Sequence, residues 1–289
     1  MSLSLGYMNT SGRRLQSEME KLDDEASFIE VQAHDKLKNS KLDFRISGRF
    51  EGYITIHGER ETDGISRIRF SDPDAEIRKK YLESSATLYM AVADSLGMKK
   101  VRRIVLHPDK ATRREKTRDQ LRRMMESLAE LHDMLPKSIQ LCIEPRGGRS
   151  GRKVLKLDLE DLSFFEDYLG AGSGIGLCLN IAQIVAMHGN RNAETFIREA
   201  ERMRLDVREL HLSDILTVDK MRNRLGIEIG MGMVDWEALL PHAWKLCRAC
   251  LIETLGGIPA FRRSKHFLEK MSRYYCATDY YEDRLKPTS

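Results

Sequence analysis

Five residues drawn from separate short apolar runs carry side chains of the kinds that bind divalent metal ions: His57, His107, Glu144, His211 and Glu253. They stand at or near the ends of Ile54-Thr55-Ile56-His57, Ile104-Val105-Leu106-His107, Leu141-Cys142-Ile143-Glu144, Leu210-His211-Leu212 and Leu251-Ile252-Glu253. A single histidine at a strand end is usually a hydrogen-bonded structural residue. A carboxylate directly after an apolar run is costly near a core unless it is paired or metal-bound, and Glu144 and Glu253 both occupy that position. Taken together the five form a ligand set for one or two divalent ions. Mixed imidazole and carboxylate donors suit Zn first, then Mn, Fe or Co, ahead of Ca or Mg. Asn180 closes a sixth run, Leu177-Cys178-Leu179-Asn180, and offers either a neutral oxygen ligand or a hydrogen bond to bound water.

Residues this far apart in sequence meet only if the fold gathers the ends of their runs. Eight short runs rich in Ile, Val and Leu are read as strands at 3–8, 28–33, 53–57, 103–107, 139–144, 175–180, 209–213 and 249–253. Helical patterns lie between or after them at 11–22, 74–96, 113–135, 159–169, 193–205, 236–247 and 259–274, while 36–50 has little periodicity. Strands alternating with helices imply a parallel sheet, and eight such units in about 250 residues suit a closed (β/α)₈ TIM barrel. An open doubly wound sheet would carry a glycine fingerprint after its first strand, and Met8-Asn9-Thr10-Ser11-Gly12 is not one. No Pro/Gly/Ser-rich linker interrupts the series, so residues 1–289 are read as a single α/β domain with a C-terminal tail from about 275.

His107-Pro108, Glu144, His211-Leu212-Ser213-Asp214, Gly230-Met231-Gly232 and Ile252-Glu253-Thr254 occur in an order that resembles the xylose-isomerase-like barrel superfamily. Within it the chain is most similar to endonuclease IV, an apurinic/apyrimidinic endonuclease with three zinc ions. The resemblance implies that His57, His107 and Glu144 hold one metal and that Glu144 bridges to a second held by His211 and Glu253. It also implies catalytic roles for Glu144 and Glu253. The departures are specific. Asn180 and Gln183 stand where that family has Asp and His, and 221–230 contains no His or Asp where the family has Asp-x-His. All ligands of the third metal are thus missing. Two glutamates against two divalent ions leave the same net charge as the family's four carboxylates against three. The superfamily's sugar isomerases and epimerases imply an alternative, one metal on Glu144, Asn180, His211 and Glu253, which leaves His57 and His107 without a role. A non-catalytic barrel with a vestigial site is the remaining alternative.

The net charge is +4, too mild to mark a nucleic-acid binder by itself, so the placement of charge carries the argument. Arg146, Arg149, Arg152 and Lys153 crowd the glycine-rich segment after Glu144, where arginine forks and open backbone N–H groups suit phosphate. Further cations follow His107, at Lys110, Arg113 and Arg114, and follow His211, at Lys220, Arg222 and Arg224. A phosphorylated small molecule or a nucleic acid is the expected partner, and a phosphoesterase the expected activity. The segment after His57 is acidic and lacks the aromatic the endonuclease uses there, which points away from abasic-site cleavage. The cysteines, 142, 178, 247, 250 and 276, have no framework spacing and are expected to be reduced and mostly buried. No apolar stretch reaches the ~20 residues a bilayer requires, and the expectation is a cytoplasmic protein with no membrane partner.

Overall fold

The computed structural model describes residues 3–9, 15–22, 24–33, 50–58, 69–109, 117–145, 155, 157–170, 172–216 and 225–285. Eight strands close into one barrel: β1 (Ser4–Asn9), β2 (Phe28–Gln32), β3 (Tyr53–His57), β4 (Val101–Leu106), β5 (Gln140–Ile143), β6 (Ile175–Asn180), β7 (Val207–Leu212) and β8 (Ala249–Ile252). Each pairs in parallel with its sequence neighbour, and β8 closes on β1 with Leu251 opposite Gly6. The expected single (β/α)₈ barrel is the observed fold. Around it lie α1 (Leu15–Leu22), α2 (Ala75–Leu96), α3 (Thr117–Met134), α4 (Leu159–Leu169), α5 (Ile181–Arg202), α6 (Trp236–Leu246) and α7 (Gly257–Leu285).

Successive strand residues point to opposite faces, which divides every strand between two interiors. In β2, Ile29 and Val31 join the large apolar layer between barrel and helices, while Phe28 packs inside the barrel with Ala249 and Leu251. Each fully buried Leu, Ile or Phe of that layer stabilises the fold by ~1.5 to 3 kcal/mol. Phe28 stacks on Tyr53 with ring centroids 4.9 Å apart. Gly6 is needed opposite them, because a Cβ there would lie 2.3 Å from the Phe28 ring. Val105, Cys142 and Cys178 form a second small apolar cluster, and polar side chains share the barrel interior with it.

Helix starts follow side-chain chemistry. Asp74, Asp158, Asn180 and Asp235 each accept backbone N–H groups from the first turn of the next helix, satisfying donors that have no intrahelical partner. Most boundaries fall within a few residues of those expected, and two differ widely. α5 begins at Ile181, directly after β6, and not at 193; the helical path is broken at Gly189, whose φ of 73° interrupts the ladder and made only the second half legible. The last helix continues to Leu285, so the segment from 275, expected as a tail, is helical to that point. The weakly periodic 36–50 lies, except for Phe50, outside the described residues.

Candidate metal centre

Parallel strands bring all their C-terminal ends to one mouth, and the six candidate ligands stand there. His57 ends β3, His107 and Glu144 directly follow β4 and β5, Asn180 ends β6, His211 is the penultimate residue of β7, and Glu253 follows β8. Glu144 is the hub. Its Oε2 lies 2.8 Å from His107 Nε2, 3.5 Å from His57 Nε2 and 3.9 Å from His211 Nδ1. Its Oε1 accepts hydrogen bonds from Asn180 Nδ2 (3.2 Å) and Gln183 Nε2 (3.1 Å). Asn180 Nδ2 also donates to Glu253 Oε2 at 2.8 Å, which ties the sixth candidate into the cluster.

The orientation of Asn180 follows from its neighbours. Its Oδ1 accepts the backbone N–H of Gln183 at 3.1 Å as the cap of α5, so its NH₂ group faces Glu144 and Glu253. An amide donor therefore stands between two carboxylates where the sugar-isomerase reading needs an oxygen on a metal.

Near His57 and His107 the donors fit a metal ion. The ligand atoms of His57, His107 and Glu144 all lie within 4.8 Å of one another. Two donors on a tetrahedral ion with bonds of 2.0 to 2.2 Å stand roughly 3.4 Å apart, close to the spacing of His57 to Glu144. His57 Nδ1 is 3.1 Å from the carbonyl oxygen of Gly58. A carbonyl only accepts, so Nδ1 carries a proton; Nε2 faces a carboxylate oxygen that also only accepts, and it either carries a second proton or, with a metal bound, turns its lone pair to the ion.

Three further buried residues, Glu30, Thr55 and Glu209, and the half-buried Arg103 lie below these, none of them among the residues expected at the site. Glu30 and Thr55 are register partners on β2 and β3, each two residues below the pair Gln32 and His57. Glu209 accepts from Thr55 Oγ1 (3.2 Å) and Arg103 Nη1 (3.3 Å), and Arg103 also donates to Tyr53 Oη at 2.9 Å. His211 Nε2 faces this layer, 3.4 Å from both Glu30 Oε2 and Glu209 Oε1. The signal that could have found them is the one applied to Glu144: a carboxylate inside an apolar run, here in Phe28-Ile29-Glu30-Val31 and Val207-Arg208-Glu209-Leu210.

Electrostatics follow from burial among carboxylates. Burial works against a charged His57, but Glu30 and Glu144 outweigh it and raise its pKa. Burial likewise opposes charge on His211, while Cys178 and Glu30 beside it push its pKa well up. Glu253 is raised by burial first; His211 pulls the other way, and Glu144 and Glu30 add to the rise. Burial pushes the Cys142 thiol up to about 12, and Cys178 is raised as well, which leaves both as inert thiols in the barrel core. Cys250 is buried and Cys247 half-buried, both free; the Cys276 side chain is outside the described residues.

The Ser213-Asp214 and Gly230-Met231-Gly232 motifs are a structural latch. Buried Asp214 accepts the backbone N–H groups of Ile215, Gly230 and Val234 and the Trp236 indole, at 2.9 to 3.0 Å. A Cβ at Gly232 would stand 2.2 Å from Asp214 Oδ1, so glycine is required there. The expected phosphate-binding residues Arg146, Arg149, Arg152 and Lys153 lie outside the described residues, as do Lys110, Arg113, Arg114, Lys220, Arg222 and Arg224. Among the described residues no helix is long and apolar enough to cross a membrane.

Residues 43–243 match the family model of the xylose isomerase-like TIM barrel. Solved structures of similar fold include a D-tagatose 3-epimerase-like protein, with a TM-score of 0.70 at 17% identity over 94% of this chain and 98% of that one. The IolI protein described with a binding zinc atom gives 0.68 at 14% identity, over 93% and 98%. Endonuclease IV from Thermus thermophilus gives 0.62 at 15%, over 94% and 99%. At such identities the likeness is one of fold. No curated protein is a sequence match to the chain.

Proposed function

The chain belongs to the xylose isomerase-like TIM-barrel family, and from that premise we propose that it is a metal-dependent phosphoester hydrolase, akin to endonuclease IV in its ligand set, with one divalent ion on His57, His107 and Glu144. The observation that carries this reading is that both histidines converge on one oxygen of Glu144, at 3.5 and 2.8 Å. Those two histidines belong to the endonuclease-like ligand set, and the isomerase set has no use for them. Asn180 supports the same choice, since its NH₂ group hydrogen-bonds Glu144 and Glu253 where the isomerase ion would need a ligand oxygen.

A divalent ion there, zinc first, would supply Lewis acidity and lower the pKa of water. Everything else is done by the chain. His57, fixed by Gly58, holds one tautomer. Gln183 and Asn180 anchor the Glu144 oxygen that faces away from the histidines, leaving Oε2 to the ion. Glu253, with its raised pKa, accepts and returns a proton at the mouth, and His211 stands 3.9 Å from the hub oxygen. Arg146, Arg149, Arg152 and Lys153 bring phosphate specificity through charge-assisted hydrogen bonds. The substrate is a phosphorylated small molecule or a nucleic acid.

The test is hydrolysis of bis-p-nitrophenyl phosphate, of a sugar phosphate and of an abasic-site oligonucleotide by zinc-loaded protein, beside epimerisation of a ketohexose. At least one phosphoester is expected to be cleaved, and Glu144→Gln or His107→Ala to lower its kcat/KM by at least ~10³-fold. Epimerisation that survives loss of both His57 and His107 would replace the hydrolase with that activity.

A further inference from the structure

Glu30 is 1% exposed, and among the described residues no hydrogen bond reaches its Oε2. Among the described residues its ion-pair contact there is His211 Nε2 at 3.4 Å. Arg103, a half-buried guanidinium on β4, is committed to Glu209 and Tyr53. Glu30 and Glu209 are two buried carboxylates facing one fixed cation, Arg103, so the interior beneath the mouth calls for further positive charge, supplied by a proton on His211 or by a metal ion. The ligand atoms of Glu30, His57 and His211 lie within 4.8 Å of one another, all three buried. The 3.4 Å between Glu30 Oε2 and His211 Nε2 is long for a hydrogen bond and close to the roughly 3.4 Å that separates two donors on one tetrahedral ion.

We propose that Glu30, His57 and His211 form a second, deeper position for a divalent transition-metal ion, one layer below His57–His107–Glu144, and that the ion occupies one position or the other. This deepens the metal-centre reading above and rests on it. Exclusivity follows from His57. It belongs to both groups of three, its Nδ1 is engaged by Gly58, and the single lone pair on Nε2 serves one ion at a time. The donors, two imidazoles and one carboxylate, select zinc or a similar borderline ion over calcium or magnesium. Glu209 Oε1, also 3.4 Å from His211 Nε2, adds negative potential at the deep position. With the ion there, Glu144 keeps its hydrogen bonds and the upper donors hold no metal, so the barrel keeps its ion in reserve out of contact with substrate.

The proposal is tested by zinc titration against a chromophoric chelator, with metal content by elemental analysis, on the unsubstituted chain and four variants. One zinc per chain is expected for the unsubstituted chain, for Glu30→Gln and for His107→Ala, since each single change leaves one position intact. The double variant Glu30→Gln/His107→Ala and the variant His57→Ala are expected to bind at least ~100-fold more weakly. Equal affinity of His107→Ala with and without Glu30→Gln would overturn the proposal and reduce Glu30 to a hydrogen-bond acceptor for His211, a role glutamine keeps. Two equivalents on the unsubstituted chain would overturn the exclusivity. If the double variant does not fold, anomalous diffraction from zinc-soaked crystals of the unsubstituted chain decides: a peak within about 2.2 Å of the Glu30 carboxylate is expected, and a peak confined to His107 and Glu144 is fatal. Zinc bound as described without phosphoester cleavage would sink the hydrolase alone, and absence of zinc from the unsubstituted chain sinks both.

Discussion

Asn180 joins two carboxylates through one amide nitrogen. Its NH₂ group lies 3.2 and 2.8 Å from two glutamates, and its oxygen caps α5. Asn180→Asp removes that donor and sets a third carboxylate against Glu144 and Glu253. Without metal the change is expected to cost about 3 kcal/mol, roughly a 6 to 12 °C fall in Tm for a chain of this size. With zinc most of the loss should return, because an ion can now be shared by three carboxylates. Thermal unfolding in chelator and in zinc reads both numbers, and equal losses in the two conditions would remove Asn180 from the metal's surroundings.

Among the elements, the loop between β7 and α6 shows how a motif that looks chemical serves geometry. Asp214 gathers three backbone N–H groups and the Trp236 indole, and Gly232 leaves it the room. Gly232→Ala forces a Cβ toward an oxygen 2.2 Å away, and Asp214→Ala abandons buried donors. The first is expected to cost about 2 kcal/mol and the second about 3 kcal/mol or more. Both should appear as lowered urea midpoints with zinc affinity changed less than tenfold, because neither residue is among the proposed ligands. A loss of zinc equal to that of His57→Ala would show that the latch holds β7, and with it His211, in register.

Over the whole molecule, the barrel concentrates negative charge in a nearly dry interior, and protons or metal must answer it. His57 and His211 have raised pKa values when folded, against 6.5 when free. Their bound protons therefore add stability that is fully present below about pH 6.5 and is lost as pH rises through the folded values. Glu253, also raised, acts in the same direction above its free value of 4.5. Metal-free protein should lose Tm steadily as pH climbs above 6.5, and the Tm increment given by zinc should grow over the same range, since the ion displaces those protons. Scanning fluorimetry from pH 6 to 9 with chelator and with zinc is the measurement. Proton release on zinc addition at pH 7 is the corollary, read with an indicator dye.

The barrel and the six residues of its mouth were legible in the amino-acid order, because alternation, β-branched runs and terminal polar residues are local signals that a parallel fold turns into a common end. The direction in which Asn180 points its nitrogen was not, since that orientation is dictated by the N–H of Gln183 in a helix whose start was hidden by the break at Gly189. Glu30, Glu209 and Arg103 escaped for a different reason. Their strands read as short apolar runs interrupted by charge, and only closure of the barrel, which brings β2 and β4 to face β7 across the interior, decides that those charges meet beneath His211 instead of facing water.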